Sequence, residues 1–261
     1  MLKISLCMKL GFPISMYDEI YTVKNTINVL KQNNCRIIVI QSDPNDDLKI
    51  LDSNQVDYYT KLSDFAGSKE NYLKERDPEN IEFSSIPVKA ITRNLSAGFS
   101  AAKFFEVDWW VVILGDVIIS DLIGIKKIIK KMNEQDKSLG VTRAVGQTFM
   151  DDKNNLTRIQ QNNTTDFMPQ FFLVKSTLIE NGLFSKFIIT NRFTTEQCLG
   201  DEVNRYCLKN KIVFDDIVFV ISDYAYPQFI SGLKYNPDRI NMPRYLDGFI
   251  NFLRRFKINK K

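Results

Sequence analysis

The chain has 261 residues, of which 44% are hydrophobic and 25% charged, and a formal net charge of +4. That length and apolar share supply one sizeable core and exclude a small scaffold stapled by disulfides or metal. No histidine occurs, which removes Ser-His-Asp hydrolysis, Cys-His proteolysis and His-ligated metal catalysis and leaves any acid-base work to carboxylates.

Gly and Pro are sparse, at 11 and 8, and no Ser/Gly linker or repeat marks a flexible boundary, so one domain over 1–243 is expected. No charged leader precedes an apolar stretch, and no run approaches the roughly 20 residues of a membrane span. The expectation is a soluble, cytoplasmic chain. Cys7, Cys35, Cys198 and Cys207 have no CxxC spacing and read as reduced core thiols. Arg254, Arg255, Lys257, Lys260 and Lys261 put five positive charges in an acid-free tail, leaving the rest of the chain near −1. That balance argues against a nucleic-acid binder.

In chain order, residues 2–8 alternate as a first strand, 18–32 carry Ile20, Val23, Ile27 and Leu30 at helical spacing, and 35–43 form a β-branched run suited to a strand buried on both faces. The result is a β-α-β opening with parallel strands. Residues 56–59 suggest a third strand, and 63–85 read as a long polar loop with at most one helix. A helix within 87–108, with Leu95, Phe99 and Ala102 on one face, leads into a strand at 109–114. Gly115-Asp116 interrupts that strand before an amphipathic helix marked by Leu122, Ile125, Ile129 and Met132, whose other face carries Lys126, Lys127, Lys130 and Lys131. Further on come a strand near 139–145, a turn at 151–155, a strand at 169–176, a helix at about 195–209 and a strand within 211–222. The fold class expected is α/β, with a mostly parallel central sheet and flanking helices.

An acidic residue at the C-terminal end of a buried strand sits where open α/β sheets bind ligands. Over 87–121 the chain resembles the GT-A glycosyltransferases, in which a DxD motif follows a strand; here the motif reads Leu114-Gly115-Asp116, with leucine in place of the first acid. The resemblance implies a GT-A-type domain, with a Rossmann-like nucleotide-binding half over about 1–121 and an acceptor half over about 122–243. It implies a nucleotide-sugar donor, UDP- or GDP-linked, with Mn²⁺ or Mg²⁺ held by Asp116 beside Gly115. Arg93, in ITRNLSAGFSAAKFF, would border the nucleotide, and Asp43, at the end of the second strand, would contact the base. The plainer readings are a solvated arginine and a Ser-Asp-Pro turn.

Thr194 and Gln197 fit a capping box that places Glu196 in the first turn of a helix, on the face of Leu199, Val203 and Cys207. By resemblance Glu196 would be the general base of an inverting transfer; its plainer role is to satisfy the helix end. Asp201, spaced to pair with Arg205, and Glu202 are the fallback acids and read as surface charges. The tail, 244–261, interleaves aromatic residues with cations, as would a helix on the inner face of an anionic membrane or one packed on the domain. The function implied is transfer of a sugar to a hydroxyl of a glycan or lipid-linked acceptor. A non-catalytic sugar-nucleotide-binding module is the alternative. Sugar-1-phosphate nucleotidyltransfer ranks lower because KLGFPIS, residues 9–15, is not a Gly-rich basic loop, and no GxGxxG supports a dehydrogenase.

Overall fold

A computed structural model of the chain describes residues 8–16, 20–41, 55–62, 85–115, 117–143, 148–150, 156–158, 167–185, 187, 195–222 and 230–235. The first half runs β1 (Leu10–Met16), α1 (Ile20–Gln32), β2 (Arg36–Gln41), β3 (Tyr58–Lys61), α2 (Ser85–Ala102), β4 (Trp109–Leu114) and β5 (Val117–Ile119). Then follow α3 (Ile123–Glu134), β6 (Leu139–Arg143), β7 (Thr148–Met150), β8 (Leu156–Arg158), β9 (Phe167–Lys175), α4 (Ser176–Glu180), α5 (Thr195–Asn210), α6 (Phe214–Ile217), β10 (Val218–Ser222) and β11 (Leu233–Tyr235).

The fold is α/β. Seven strands form one sheet in the order β10-β6-β9-β4-β1-β2-β3, drawn from both halves of the chain. Six run parallel, and β9 alone runs against its neighbours β4 and β6. Two small antiparallel ladders, β5–β11 and β7–β8, stand outside this sheet.

Side-chain alternation along the strands builds two cores. Trp109, Val111 and Ile113 of β4 join Ile37 and Val39 of β2 beneath α1 and α3. Trp110 and Val112 join Ile38 and Ile40 beneath α2 and α5. Trp109–Leu114 of β4 and Ile37–Ile40 of β2 are therefore apolar at every position rather than at every second one, as strands covered on both faces require. On the α2 side, Phe99 stacks on Phe184 at 5.0 Å and Phe184 on Phe187 at 5.7 Å, while Phe167 meets Phe172 edge-on at 5.3 Å. Offset and edge-to-face pairs of this kind add to area burial, and they tie α2 to β9 and the turn after α4.

The first strand among the described residues is Leu10–Met16, which the sequence reading did not single out; the strand expected at 2–8 lies outside the described residues apart from Met8, which is not in a strand. Gly-Phe-Pro reads locally as a turn, but packing overrides that reading. A Cβ at Gly11 would clash with the ring of Trp110, closest to Cζ3, so only glycine lets the central strands close as they do. Pro13, unusual in a central strand, falls in the gap of the β1–β4 register between Gly11–Trp110 and Ile14–Ile113. A correction concerns 211–222: Phe214–Ile217 is a short helix, and the strand is confined to Val218–Ser222. Lys137 Nζ donates to the carbonyls of Asp215 and Asp216, which holds that turn against the start of the β6–β10 edge. The third strand lies two residues later than expected, at Tyr58–Lys61. The expected loop at 63–84, the turn at 151–155 and the tail 244–261 lie outside the described residues.

Candidate functional site

From β1 the chain winds outward to β2 and β3, then returns to place β4 on the other side of β1. The strand order thus reverses between β1 and β4, and in sheets of this kind the ligand crevice opens beyond the C-terminal strand ends at that reversal. Ser15 and Leu114 pair across it, and the Gly115 N–H donates to the Ser15 carbonyl at 2.7 Å, which fixes where the chain leaves β4. Asp116, the next residue, lies outside the described residues, as does Asp43 beyond the end of β2.

Polar side chains collect at these strand ends, and sequence reading missed them. On the α2 side of the sheet, Asn94 Nδ2 donates to Ser15 Oγ at 2.8 Å, with both side chains buried. Asn94 Oδ1 is buried with no protein hydrogen-bond partner among the described residues. On the α1 side, Gln41, wholly buried at the end of β2, accepts from the Tyr59 hydroxyl at 2.7 Å, and its Nε2 is likewise without one. Buried polar atoms are nearly always satisfied, so unfilled capacity at the reversal point is the kind of chemistry a polar ligand completes. The available signal was an amide on the apolar face of α2, between Ile91 and Leu95.

Beyond Asp116 the chain is clamped. Thr26 of α1 accepts the Ile119 N–H at 3.1 Å and donates to the Val117 carbonyl at 3.4 Å, inside the protein. On its other edge β5 pairs with β11, and Ser120 N–H donates to the Gly232 carbonyl at 2.8 Å. Gly232 has φ +86° and its missing Cβ would strike Asp121, so the return strand approaches the 120–124 turn as only glycine permits. The segments flanking Asp116 are anchored on both sides.

Arg93 is exposed on α2, next to the buried Asn94. Glu196 is half-buried in the first turn of α5, rather than turned fully inward, while Leu199, Val203 and Cys207 of the same face are buried. Thr194 of the expected capping box lies outside the described residues. Tyr206, buried near the end of α5, bonds through its hydroxyl to the side chain of Asn181, which follows β9 and α4.

Asp201 is exposed. Glu202, expected as a surface charge, is 5% exposed and ion-paired with Arg205. Burying a carboxylate without such a partner would be costly, which makes this pair structural. Burial pushes the Cys198 thiol up to about 11, with the Asp201 and Glu196 carboxylates adding to the effect.

Among the described residues no group of three or more acidic or thiol side chains could hold a metal ion, and no helix is long and apolar enough to cross a membrane. A cavity of about 800 Å³ opens at the far edge of the sheet, where β1 and β2 begin, lined in part by Lys9, Arg36, Asp57 and Phe104. The expected acids are not among its lining residues.

No family model matches the chain, and no curated protein matches it in sequence. Solved structures resemble it in fold at low identity. The chain is similar to TarS from S. aureus (14% identity, TM-score 0.45), covering 84% of its own length and 59% of that chain. It is also similar to a structure described as a glucose-1-phosphate thymidylyltransferase from Bacillus anthracis (16%, TM-score 0.39, 84% of this chain and 88% of that). A third is 4-diphosphocytidyl-2C-methyl-D-erythritol synthase from Anaerococcus prevotii (12%, TM-score 0.42, 92% and 97%). The chain thus spans little over half of the TarS structure.

Proposed function

We propose that the chain is a glycosyltransferase that moves a sugar from a nucleotide-sugar donor to a hydroxyl of a glycan or lipid-linked acceptor. The observation that carries this reading is the reversal of strand order between β1 and β4, with the DxD-like Leu114-Gly115-Asp116 following directly from β4. A diphosphate leaving group gains negative charge as the glycosidic bond breaks, so stabilising it is the site's main task. Asp116 would hold a divalent cation, with phosphate and water oxygens supplying its other ligands; the cation would neutralise the diphosphate. Gly115 would leave room beside the strand end for the donor. Arg93 would face the phosphates, and Asp43 with the Ser15–Asn94 pair would meet the nucleoside. Glu196 would take the proton from the acceptor hydroxyl as it attacks, with Asp201 its exposed fallback.

The acceptor half, about 122–243, would shape the second substrate site, and the basic tail would rest on the inner face of a membrane. A non-catalytic sugar-nucleotide-binding module is the second reading, favoured by the half-buried Leu114 in the position of the first acid. Nucleotidyltransfer ranks lower because the sequence from Lys9 to Ile20 holds no Gly-rich basic loop for a triphosphate.

The test is a thermal-shift series with UDP-, GDP-, CMP- and dTDP-sugars, with and without Mn²⁺, followed by donor turnover in Asp116→Ala and Glu196→Gln. A donor-specific rise in melting temperature, with turnover lost in both variants, supports the transferase. Binding without turnover supports the module. No shift with any donor ends both.

A further inference from the structure

Helix α3 carries an arrangement that costs it stability and that sugar transfer does not use. Ile125, Ile129 and Met132 are buried in the core on the sheet, and Gly124 against Ile230 and Ser231. Outward, Lys126 and Lys130 form one i,i+4 row and Lys127 and Lys131 the next, all four exposed. Like charges at this spacing repel. The Asp121 carboxylate just before the helix accepts the Ile123 N–H at 2.8 Å, but no acid stands in the first turn itself, and Lys126 and Lys127 oppose the positive end of the helix dipole. Glu134 is the single acid of the helix, 3.8 Å from Lys130 and largely exposed. The neighbouring α1, covering the same sheet face, adds Lys24 and Lys31 and contains no acid. Ile123, at the start of α3, is 55% exposed beside this lysine face.

We propose that the outward face of α3, Lys126, Lys127, Lys130 and Lys131 with Ile123 at its leading end, docks on an anionic lipid bilayer. Juxtamembrane lysines are drawn to anionic headgroups, and an apolar side chain among them enters the headgroup layer. A nucleic acid fits this face less well, because α3 has no arginine and no aromatic residue to stack on a base. Docking by α3 would bring the 120–124 turn, and with it the end of the strand reversal, toward the membrane.

Vesicle co-sedimentation of the full chain tests the proposal without any substrate. The protein should sediment with phosphatidylcholine vesicles containing an equal part of phosphatidylglycerol, should not with phosphatidylcholine alone, and should be released by salt. Lys126→Gln/Lys127→Gln/Lys130→Gln/Lys131→Gln should bind more than tenfold more weakly with a melting temperature no lower than the parent's, and the fourfold Lys→Arg variant should bind as the parent does. Three results overturn the proposal: no binding by the parent, undiminished binding by the Gln variant, or complete loss of binding in a variant altered only at Arg254, Arg255 and Lys257. Displacement of the parent from vesicles by a short RNA duplex that the Gln variant no longer binds would assign the face to nucleic acid instead.

Discussion

Asn94 and Ser15 are 79 positions apart in sequence, and their side chains meet at 2.8 Å where the strand order reverses. Asn94 donates through Nδ2 and keeps Oδ1 buried and unmatched among the described residues. Asn94→Ala should lower stability by about 1 kcal/mol in urea unfolding, since a lost hydrogen bond is partly offset by removing an unsatisfied acceptor. It should also abolish the donor-induced rise in melting temperature. An unchanged donor shift would remove Asn94 from the nucleoside contact.

Thr26 holds both ends of β5 from the neighbouring helix. Thr26→Val keeps the shape but leaves the Ile119 N–H buried without its acceptor, a loss of about 1–3 kcal/mol. Thr26→Ser should recover most of it. The sharper readout is hydrogen exchange: the Ile119 amide should exchange faster in the valine variant, while the amides of β2 stay protected.

Gly11→Ala should be strongly destabilising. The added carbon points into the Trp110 ring, and both residues lie in central strands that cannot shift independently. Overpacking of this kind costs about 1–3 kcal/mol, and a value at the upper end is expected from chemical denaturation. Gly11→Ala combined with Trp110→Leu should recover part of the loss if the clash is its cause.

Burial raises the Cys35 thiol to about 11, against an ordinary value of 9.0, and Cys198 to about 11 as well. The folded protein holds these protons more tightly than the unfolded chain does. The associated stability is therefore complete below pH 9 and is lost as pH rises from 9 toward 11. Urea midpoints measured across that range should fall, and Cys35→Ala/Cys198→Ala should flatten the dependence. At neutral pH neither thiol should react with a maleimide until the protein unfolds.

The strand at 109–114, the amphipathic helix that follows Asp116 and the helix at 195–210 were legible in the chain because each is a local pattern: an unbroken apolar run or a 3.6-residue repeat set by burial on one or two faces. The first strand was not, because the fitness of Gly11 and Pro13 for a central strand depends on Trp110, a hundred residues away. Glu202 misled for the same reason, since its spacing along the helix does not reveal that the fold buries it beside Arg205. By itself the sequence determined the α/β class, the buried strands and the basic face of α3, all of which follow from side-chain periodicity and charge. Only the tertiary structure decided which strands are neighbours, that β9 runs against the rest, and that Asn94 and Ser15 meet where the order reverses. Pairing across the sheet depends on hydrogen bonds and packing between segments far apart in the chain, and no local pattern encodes them.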